Sequence, residues 1–506
     1  MTGALKNIKI QLINPKIYLP LALLFYLFVA YKNSGYHHED EHYQLIEFAN
    51  YKLGLLSSDK LAWEFKEEIR PGAQPFICYQ IIKAARFFGI NDVYNLAFLL
   101  RAISAVFAIY VISKFVSAYK SSIRESLFPS FIYLSFFLWF VPYVNVRFSS
   151  ESWSGLTFIL ILAIFQKTRH QHTFQKHAIL GILMGIAILF RYQSALLIIG
   201  MMLNLIFIEK IKTWHLMIIL MSSLSILLLG VAIDIWLYSK ITVSLYNYFD
   251  TNLLQGVASQ FGVSPFYQYF LDIITSPGLP IGIALTVSLI VLITKKNNSM
   301  ILWALLPFLV VHSLIPHKEL RFLFPLVNLS GIILILSYQF IVQHSSYFSI
   351  FRKYHLIQIT VCLIIMNNIA GLTCIASTGA GSGKTSITEY LHRHYLKSNI
   401  NIILIGGLNP YMDWGPPKNS FYSSDGISIK HAESIWQYDL LSLKSSSKKN
   451  LLIMYEQEIT GQQSINYLKR IGLVKIYQNI PDYVMAIYRI HKITLENKQI
   501  FIYEFD

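Results

Sequence analysis

The sequence predicts an α-helical, multi-spanning membrane protein of about eleven spans with a small C-terminal α/β domain. Three observations predict it. The 506 residues are 54% hydrophobic and only 14% charged, against about a quarter charged in soluble domains. Apolar runs of about 18 residues, enough to cross a hydrocarbon core, recur as far as residue 376. Beyond it, charges disperse and short β-like runs take over. The expected division is a membrane domain at 1–376, with a first outer loop at 32–95, and a tail domain at 377–506.

Each span follows from its length and from the basic clusters that mark a cytoplasmic side. Lys6, Lys9 and Lys16 precede a first span at 17–31, which puts the N-terminus inside and loop 32–95 outside. The first run lacks a small-residue cleavage site and is expected to remain as an anchor. Spans at 96–112, 127–144 and 153–165 then alternate. They leave Lys114, Lys120, Arg124 and later "QKTRHQHTFQKH" inside, and "RFSSES" outside. Stretch 177–209 would be about 48 Å long as one helix, too long for a single crossing. Arg191 interrupts it, so a hairpin is expected, with Arg191 outside and "EKIK" inside. Spans at 216–238, 279–293, 300–315, 322–342 and 356–376 complete the set and leave the tail outside. In the tail, "INIILIG", "NLLIMYE" and "KQIFIYEF" read as strands.

The net charge of +15 is divided into short clusters between apolar runs. That is an orientation signal rather than a nucleic-acid stripe. Cys78, Cys362 and Cys374 offer neither metal-ligand spacing nor a disulfide framework. "TGAGSGKTS", residues 378–386, comes close to a phosphate-binding loop. Gly383, Lys384 and Thr385 fit its second half, but the first glycine sits at 379 where the pattern needs 378. The string follows a membrane span, not a buried strand, and faces away from cytosolic ATP in this topology. A glycine-rich hinge into a helix is expected, with Thr385 or Ser386 as N-cap and no ATP bound.

Four polar groups gather on the non-cytoplasmic side: "HHEDEHYQ" (37–44), "WEFKEEIRPGAQP" (63–75), "RFSSES" (147–152) and "HKELRF" (317–322). Charges close to hydrocarbon are costly and tend to be functional. Repulsion among Glu39, Asp40 and Glu41 favours a proton on one of them and makes a better general base. His317, Lys318 and Arg321 supply three cations, and Arg147 and Arg191 two more on that side. A base and a set of cations suit attack by a hydroxyl while a phosphate leaves, as from a lipid-linked phosphosugar. Plainer readings exist: a solvated acidic loop, arginines at helix ends or the interface, or a basic turn. A metal site at His38, Asp40 and His42 suffers from i, i+2 spacing, which converges poorly on a helix. A transporter or lipid flippase of polyprenyl-linked substrates would also need spans and charges. It would place charges near the bilayer midplane or show internal repeats, whereas these charges lie at span ends.

With these residues the chain resembles the dolichyl-phosphate-mannose-dependent mannosyltransferases of GPI-anchor and asparagine-glycan assembly, over roughly residues 17–330. That family's His-Pro-Asp-Glu is similar to His38-Glu39-Asp40-Glu41, followed by Tyr43-Gln44, with Glu39 in place of Pro. Its Thr-Trp-Glu-Trp…Arg-Ser…Pro is similar to Ala62-Trp63-Glu64-Phe65…Arg70-Pro71…Pro75. Its His-Lys-Glu-x-Arg-Phe-x-x-Pro is matched by His317-Lys318-Glu319, Arg321-Phe322 and Pro325, and its Arg-x-x-Ser-Glu by Arg147, Ser150 and Glu151. Arg191 matches an arginine of the short hairpin, and Asp234 resembles another recurring element.

The resemblance implies a GT-C membrane fold and an inverting hexosyl transfer with no metal or cofactor. The donor would be dolichyl- or polyprenyl-phosphate mannose, or a similar sugar, and the acceptor a lipid-linked glycan or GPI-like lipid. The site would face the lumen of the endoplasmic reticulum, or the outside of a bacterial inner membrane. Asp40 would be the base, with Glu41 helping to orient the acceptor hydroxyl. His317, Lys318, Arg321 and, second to them, Arg147 would neutralise the donor phosphate. Substrate contacts would come from His38, Gln44, Glu64, Arg70, Arg191 and Trp63, the last by stacking on a sugar.

Overall fold

The computed structural model describes residues 14–505 except 296–298, 344–353, 396–398, 413–420, 424–425, 438–439, 460 and 492–498. Lys6, Lys9 and part of the basic cluster at 351–355 lie outside the described residues. Among the described residues, five helices are long and apolar enough to cross a membrane: Pro15–Lys32, Val93–Ser122, Thr213–Tyr238, Leu320–Gln343 and Gln358–Ile375. Leu279–Lys295 and Met300–Leu314 make six if the pair is one span. The chain is a multi-pass membrane protein. It divides into two compact units, one from Met1–Ala30, Trp63–Ile81 and Leu99–Leu372, the other from Tyr31–Ala62, Ile82–Phe98 and Thr373–Asp506.

In the first unit, the span expected at 127–144 is interrupted, and the stretch 177–209, expected as a hairpin, breaks at its charge. Helix Phe128–Phe137 ends where Leu138 turns extended (ψ 124°), and Phe140–Asn145 resumes it. A backbone group freed within hydrocarbon must find a partner. The Trp139 amide donates to Asn368 Oδ1 at 2.7 Å, and Asn368 Nδ2 donates to the Phe137 carbonyl at 2.8 Å. The stretch 177–209 breaks at Arg191, which is extended (φ −151°, ψ 114°) between helices Phe174–Phe190 and Ala195–Phe207.

One glycine brings the later chemistry together. A Cβ on Gly155, in helix Ser150–Lys167, would lie 2.6 Å from the Pro325 backbone, in the 3-10 segment Leu320–Leu329. Only glycine allows this approach. Glu151 stands one helical turn before Gly155, and Arg321 four residues before Pro325. Their side chains meet.

The second unit holds a five-stranded sheet: β1 (Ile400–Ile405), β2 (Ile427–Ala432), β3 (Lys449–Tyr455), β4 (Leu473–Gln478) and β5 (Ile500–Phe505). Their order is β2-β1-β3-β5-β4. β1 runs parallel to β2 and β3, and β5 antiparallel to β3 and β4. One face packs Ile402, Leu404, Leu451, Ile453, Ile500 and Ile502 against Ile387 and Leu391 of helix Lys384–Tyr395. The other packs Ile403, Ile405, Leu452 and Met454 against Leu468 of helix Gly461–Arg470. The three expected strands are β1, β3 and β5.

The glycine-rich string at 378–386 has a definite role in this unit. Asn33 Nδ2 donates to the Thr378 carbonyl at 2.9 Å, and the Ala380 amide donates to the Ser34 carbonyl at 2.7 Å. Gly381 has φ +55°, and a side chain there would run into the Tyr36 carbonyl. The loop therefore cradles residues 33–37. Its helix starts at Lys384, so Thr385 and Ser386 lie inside the first turn. This corrects their expected place as N-cap; the turn forms earlier because Gly383 (φ +73°) already bonds back to Ala380.

Candidate active site

The acidic turn belongs to the second unit and sits directly on that cradle. His38 is the N-cap of the single turn Glu39–Glu41, its Nδ1 accepting from the Asp40 amide at 3.2 Å. A side chain in this place satisfies an amide that the first turn leaves without a partner. The same Nδ1 lies 3.5 Å from Asp40 Oδ1. Glu41 is buried and accepts from the His37 amide at 3.3 Å. The Asp40 side chain keeps 16% of its surface exposed, so of these two acids it is the more accessible.

Residues His42–Ile46 then form a π-turn that buries Gln44. Such turns are rare and cluster at functional sites. His42 points inward. Its Nε2 is 3.2 Å from Glu47 Oε1, and its ring lies between Tyr36 and Tyr422, each stacked at 5.2 Å. Glu47 also accepts from the Phe421 amide at 2.9 Å and from Asn50 Nδ2 at 3.2 Å. His38 and His42 thus engage different carboxylates.

The arginine centre lies in the first unit. Glu151 Oε1 is 2.9 Å from Arg191 Nη1 and 3.3 Å from Arg321 Nη1. Ser150 Oγ donates to Glu151 Oε2 at 3.1 Å and accepts from Arg191 Nη1 at 3.3 Å. Both guanidiniums lie against the Phe322 ring, at 5.1 and 5.3 Å from its centroid. Arg321 Nε also pairs with Glu319, whose Oε1 is 2.7 Å from His317 Nε2. That hydrogen bond raises the His317 pKa above the ordinary imidazole value, with burial opposing it. Lys318 is turned to backbone, donating to the Ile315 and Ser264 carbonyls at 2.7 and 3.0 Å; burial lowers its pKa.

The remaining candidates fall around this centre's unit. Arg147 is fully buried, its guanidinium over the Tyr143 ring at 5.4 Å. Arg70 Nη2 is 3.5 Å from Glu64 Oε1. The Arg70 backbone is clamped by Tyr238, whose hydroxyl donates to its carbonyl at 2.8 Å and accepts from its amide at 3.3 Å. Asp234 holds the same loop by accepting from the Gly72 amide at 2.7 Å. Trp63 stacks on Phe261 at 5.6 Å. Two groups that residue type alone did not rank prove central, Glu151 and Glu47. Glu47 is an acid within the apolar run at 45–49, five residues after His42, whereas Glu151 stands in a polar string four residues after Arg147; an acid so close to a histidine or a cation is the signal that marks them.

The chain is similar to several known proteins. GPI mannosyltransferase 3 of Candida albicans is 26% identical over 292 residues, 57% of this chain and 56% of that relative. GPI alpha-1,2-mannosyltransferase 3 of Bos taurus is 23% identical over 295 residues, 57% of this chain and 52% of that relative. The match thus spans just over half the length of these relatives. A solved structure of ArnT from Cupriavidus metallidurans bound to undecaprenyl phosphate is 10% identical. It aligns over 96% of this chain and 97% of that one at a TM-score of 0.45. Residues 17–401 match a family description that encloses both the acidic turn and the arginine centre. The chain belongs to the Alg9-like mannosyltransferase family, a family of hexosyltransferases.

Proposed function

We propose that this chain transfers a mannosyl residue, or a close relative of it, from a polyprenyl- or dolichyl-phosphate donor to a hydroxyl of a lipid-linked glycan or GPI-like acceptor. The carbon attacked is the anomeric one, and its configuration inverts. Asp40 takes the proton of the acceptor hydroxyl, with Glu41 orienting the turn and His38 fixing Asp40. The leaving phosphate is neutralised by Arg321, His317 and Arg191, with Arg147 and Lys318 adding positive field. Trp63, Glu64, Arg70 and Gln44 contact the substrates. Fixed cations aimed at developing charge supply several kcal/mol of transition-state stabilisation in such sites.

One observation carries this reading. In the arginine centre Glu151 is shared by Arg191 and Arg321, and Glu319 by Arg321 and His317, whose pKa the Glu319 hydrogen bond raises. Two guanidiniums held rigidly beside an imidazole, at the end of a span, suit a developing anion. Eleven crossings, with the N-terminus cytoplasmic and Asp40 and Arg321 both on the non-cytoplasmic face, complete the proposal.

Two measurements test it. Membranes containing the protein are given labelled polyprenyl-phosphate mannose and a lipid-linked acceptor, and the anomeric configuration of the product is read. Transfer from a nucleotide sugar and none from the lipid phosphosugar would refute the donor. Single cysteines at the exposed Ser58 of loop 32–95 and at Ser382, in a background lacking Cys78, Cys362 and Cys374, should react with an impermeant reagent only from the non-cytoplasmic face. Cytoplasmic labelling of Ser382 would reverse the side of the tail.

A further inference from the structure

Three histidines outside all of this converge at one end of the first unit's helices. Helices Phe174–Phe190 and Thr213–Tyr238 pack in parallel through small residues. A Cβ on Gly181 would strike the Ile219 carbonyl, one on Gly185 would strike Ile226, and one on Gly230 would strike Leu189. Ser223 Oγ donates to the Gly181 carbonyl at 2.8 Å. His177 stands one turn before Gly181, and His215 one turn before Ile219, so this register sets the two imidazoles abreast. Their rings are 4.2 Å apart and within 13° of parallel. His172 approaches from the preceding loop, 5.6 Å from His215 and 6.2 Å from His177. Lys176 holds that loop, its Nζ donating to the Thr168, Gln171 and Arg169 carbonyls at 2.7, 2.9 and 3.4 Å.

We infer that His172, His177 and His215 form a binding site for a divalent transition metal, with Zn²⁺ the fitting ion. One ring nitrogen from each lies within 4.8 Å of the other two. Three imidazoles on a tetrahedral zinc sit about 3.4 Å apart, since Zn–N bonds are about 2.0–2.1 Å, so modest side-chain rotation closes the set. His177 is already oriented for it. Its Nδ1 is 2.7 Å from the Thr173 carbonyl, so the proton sits there and Nε2 keeps its lone pair. A backbone carbonyl on the second nitrogen is the usual support of a metal-binding histidine. His215 Nδ1 is buried and has no hydrogen-bond partner among the described residues, a vacancy that a metal bond from this ring would explain. Imidazole ligands select zinc and copper over magnesium and calcium. The neighbouring Lys176 and Lys212 weaken the field for a cation, which places the site among exchangeable rather than permanently filled ones. Metal here would tie the loop at 168–173 to the start of helix Thr213–Tyr238, apart from the transfer reaction.

The test uses the full chain, untagged, purified in detergent and stripped with a chelator. Calorimetric titration with Zn²⁺ should show about one ion per chain, and Co²⁺ should give the visible bands of a tetrahedral site. His172 is exposed, so His172→Ala removes a ligand without disturbing packing; it should weaken Zn²⁺ binding at least about tenfold. His215→Ala should do the same, while His170→Ala, two residues from His172 but outside the set, should not. No stoichiometric binding, or His172→Ala binding Zn²⁺ as tightly as the parent, overturns the inference. Equal weakening by His170→Ala would mean a diffuse histidine-rich surface and would overturn it too.

Discussion

The acidic turn and the arginine centre hold charge in opposite ways. In the arginine centre, charged groups are buried and matched to one another: Glu151 lies between two guanidiniums, and both arginine side chains are only 6% exposed. In the acidic turn, Asp40 is anchored by its backbone amide, which donates to His38 Nδ1, while its carboxylate stays partly exposed. A charge locked among partners is expensive to remove because its partners remain behind. A charge held by its backbone can be altered with little structural cost. The first arrangement builds a fixed field, and the second suits the proton transfer proposed for Asp40.

The largest effect expected from that contrast is on turnover. Asp40→Asn keeps the shape of the turn and removes the proposed base, so transfer should fall by about 10²–10⁴-fold while the melting temperature in detergent barely moves. Near-normal transfer by this variant would take Asp40 out of the chemistry.

The reverse pattern is expected at Glu151. Glu151→Gln leaves Arg191 and Arg321 buried with one carboxylate fewer, which should cost about 3–5 kcal/mol of stability, read as a large drop in thermal midpoint. If Glu151→Gln melts normally and only donor affinity changes, the arginine centre is not the closed ionic network described, and the contrast between the regions fails.

A subtler difference concerns pH. His317 has its pKa raised by Glu319, so its proton is retained through the ordinary imidazole range and lost as pH rises through the elevated value. Any stability from this pair follows the same sign: complete at low pH and fading on the alkaline side of that range. Donor affinity should therefore weaken as pH rises through that window. Glu319→Gln should shift the weakening to lower pH, and the pH profile of the donor KM reads it. A profile that Glu319→Gln leaves in place would remove His317 from the phosphate site.

Much of this was legible in the residues, and the gaps have physical causes. β1, β3 and β5 are interior strands whose apolar runs speak for themselves. β2, "ISIKHA", and β4, "LVKIYQ", are the two edges of the sheet. Edge strands face solvent with Lys, His and Gln, and no continuous apolar run marks them. The break at Leu138 was hidden because its compensation, Asn368, lies 230 residues away in sequence. Arg191 was legible as an interruption because a charge in an apolar stretch shows at once. That it shares Glu151 with Arg321 depends on the Gly155–Pro325 approach, a tertiary contact with no local signature. The acidic turn was readable as a motif, yet its N-cap by His38 and the cradle beneath it came only with the fold.

The smallest effect is expected at Lys384, and it tests what the cradle is for. The string that contains it has the glycines, lysine and hydroxyl of a phosphate loop, but its amides are committed elsewhere. The Ala380 amide donates to Ser34, the Gly383 amide to Ala380, and the Ser386 amide to Gly383. A phosphate loop needs such amides turned toward the anion. Lys384 itself donates to the Met412 carbonyl at 2.7 Å on an exposed side of the unit. An exposed hydrogen bond of this kind is worth about 1 kcal/mol at most, so Lys384→Ala should leave transfer within about twofold, and added ATP should change neither variant nor parent. Gly381→Ala offers the sharper counterpart. Its φ of +55° and the Tyr36 carbonyl beside it leave no room for a Cβ, so this variant should disturb residues 33–37 and with them the turn that presents Asp40. The expected ranking is thus Gly381→Ala well below Lys384→Ala in transfer rate. Micromolar ATP binding lost in Lys384→Ala, with Gly381→Ala fully active, would show that the loop serves a nucleotide and not the acidic turn.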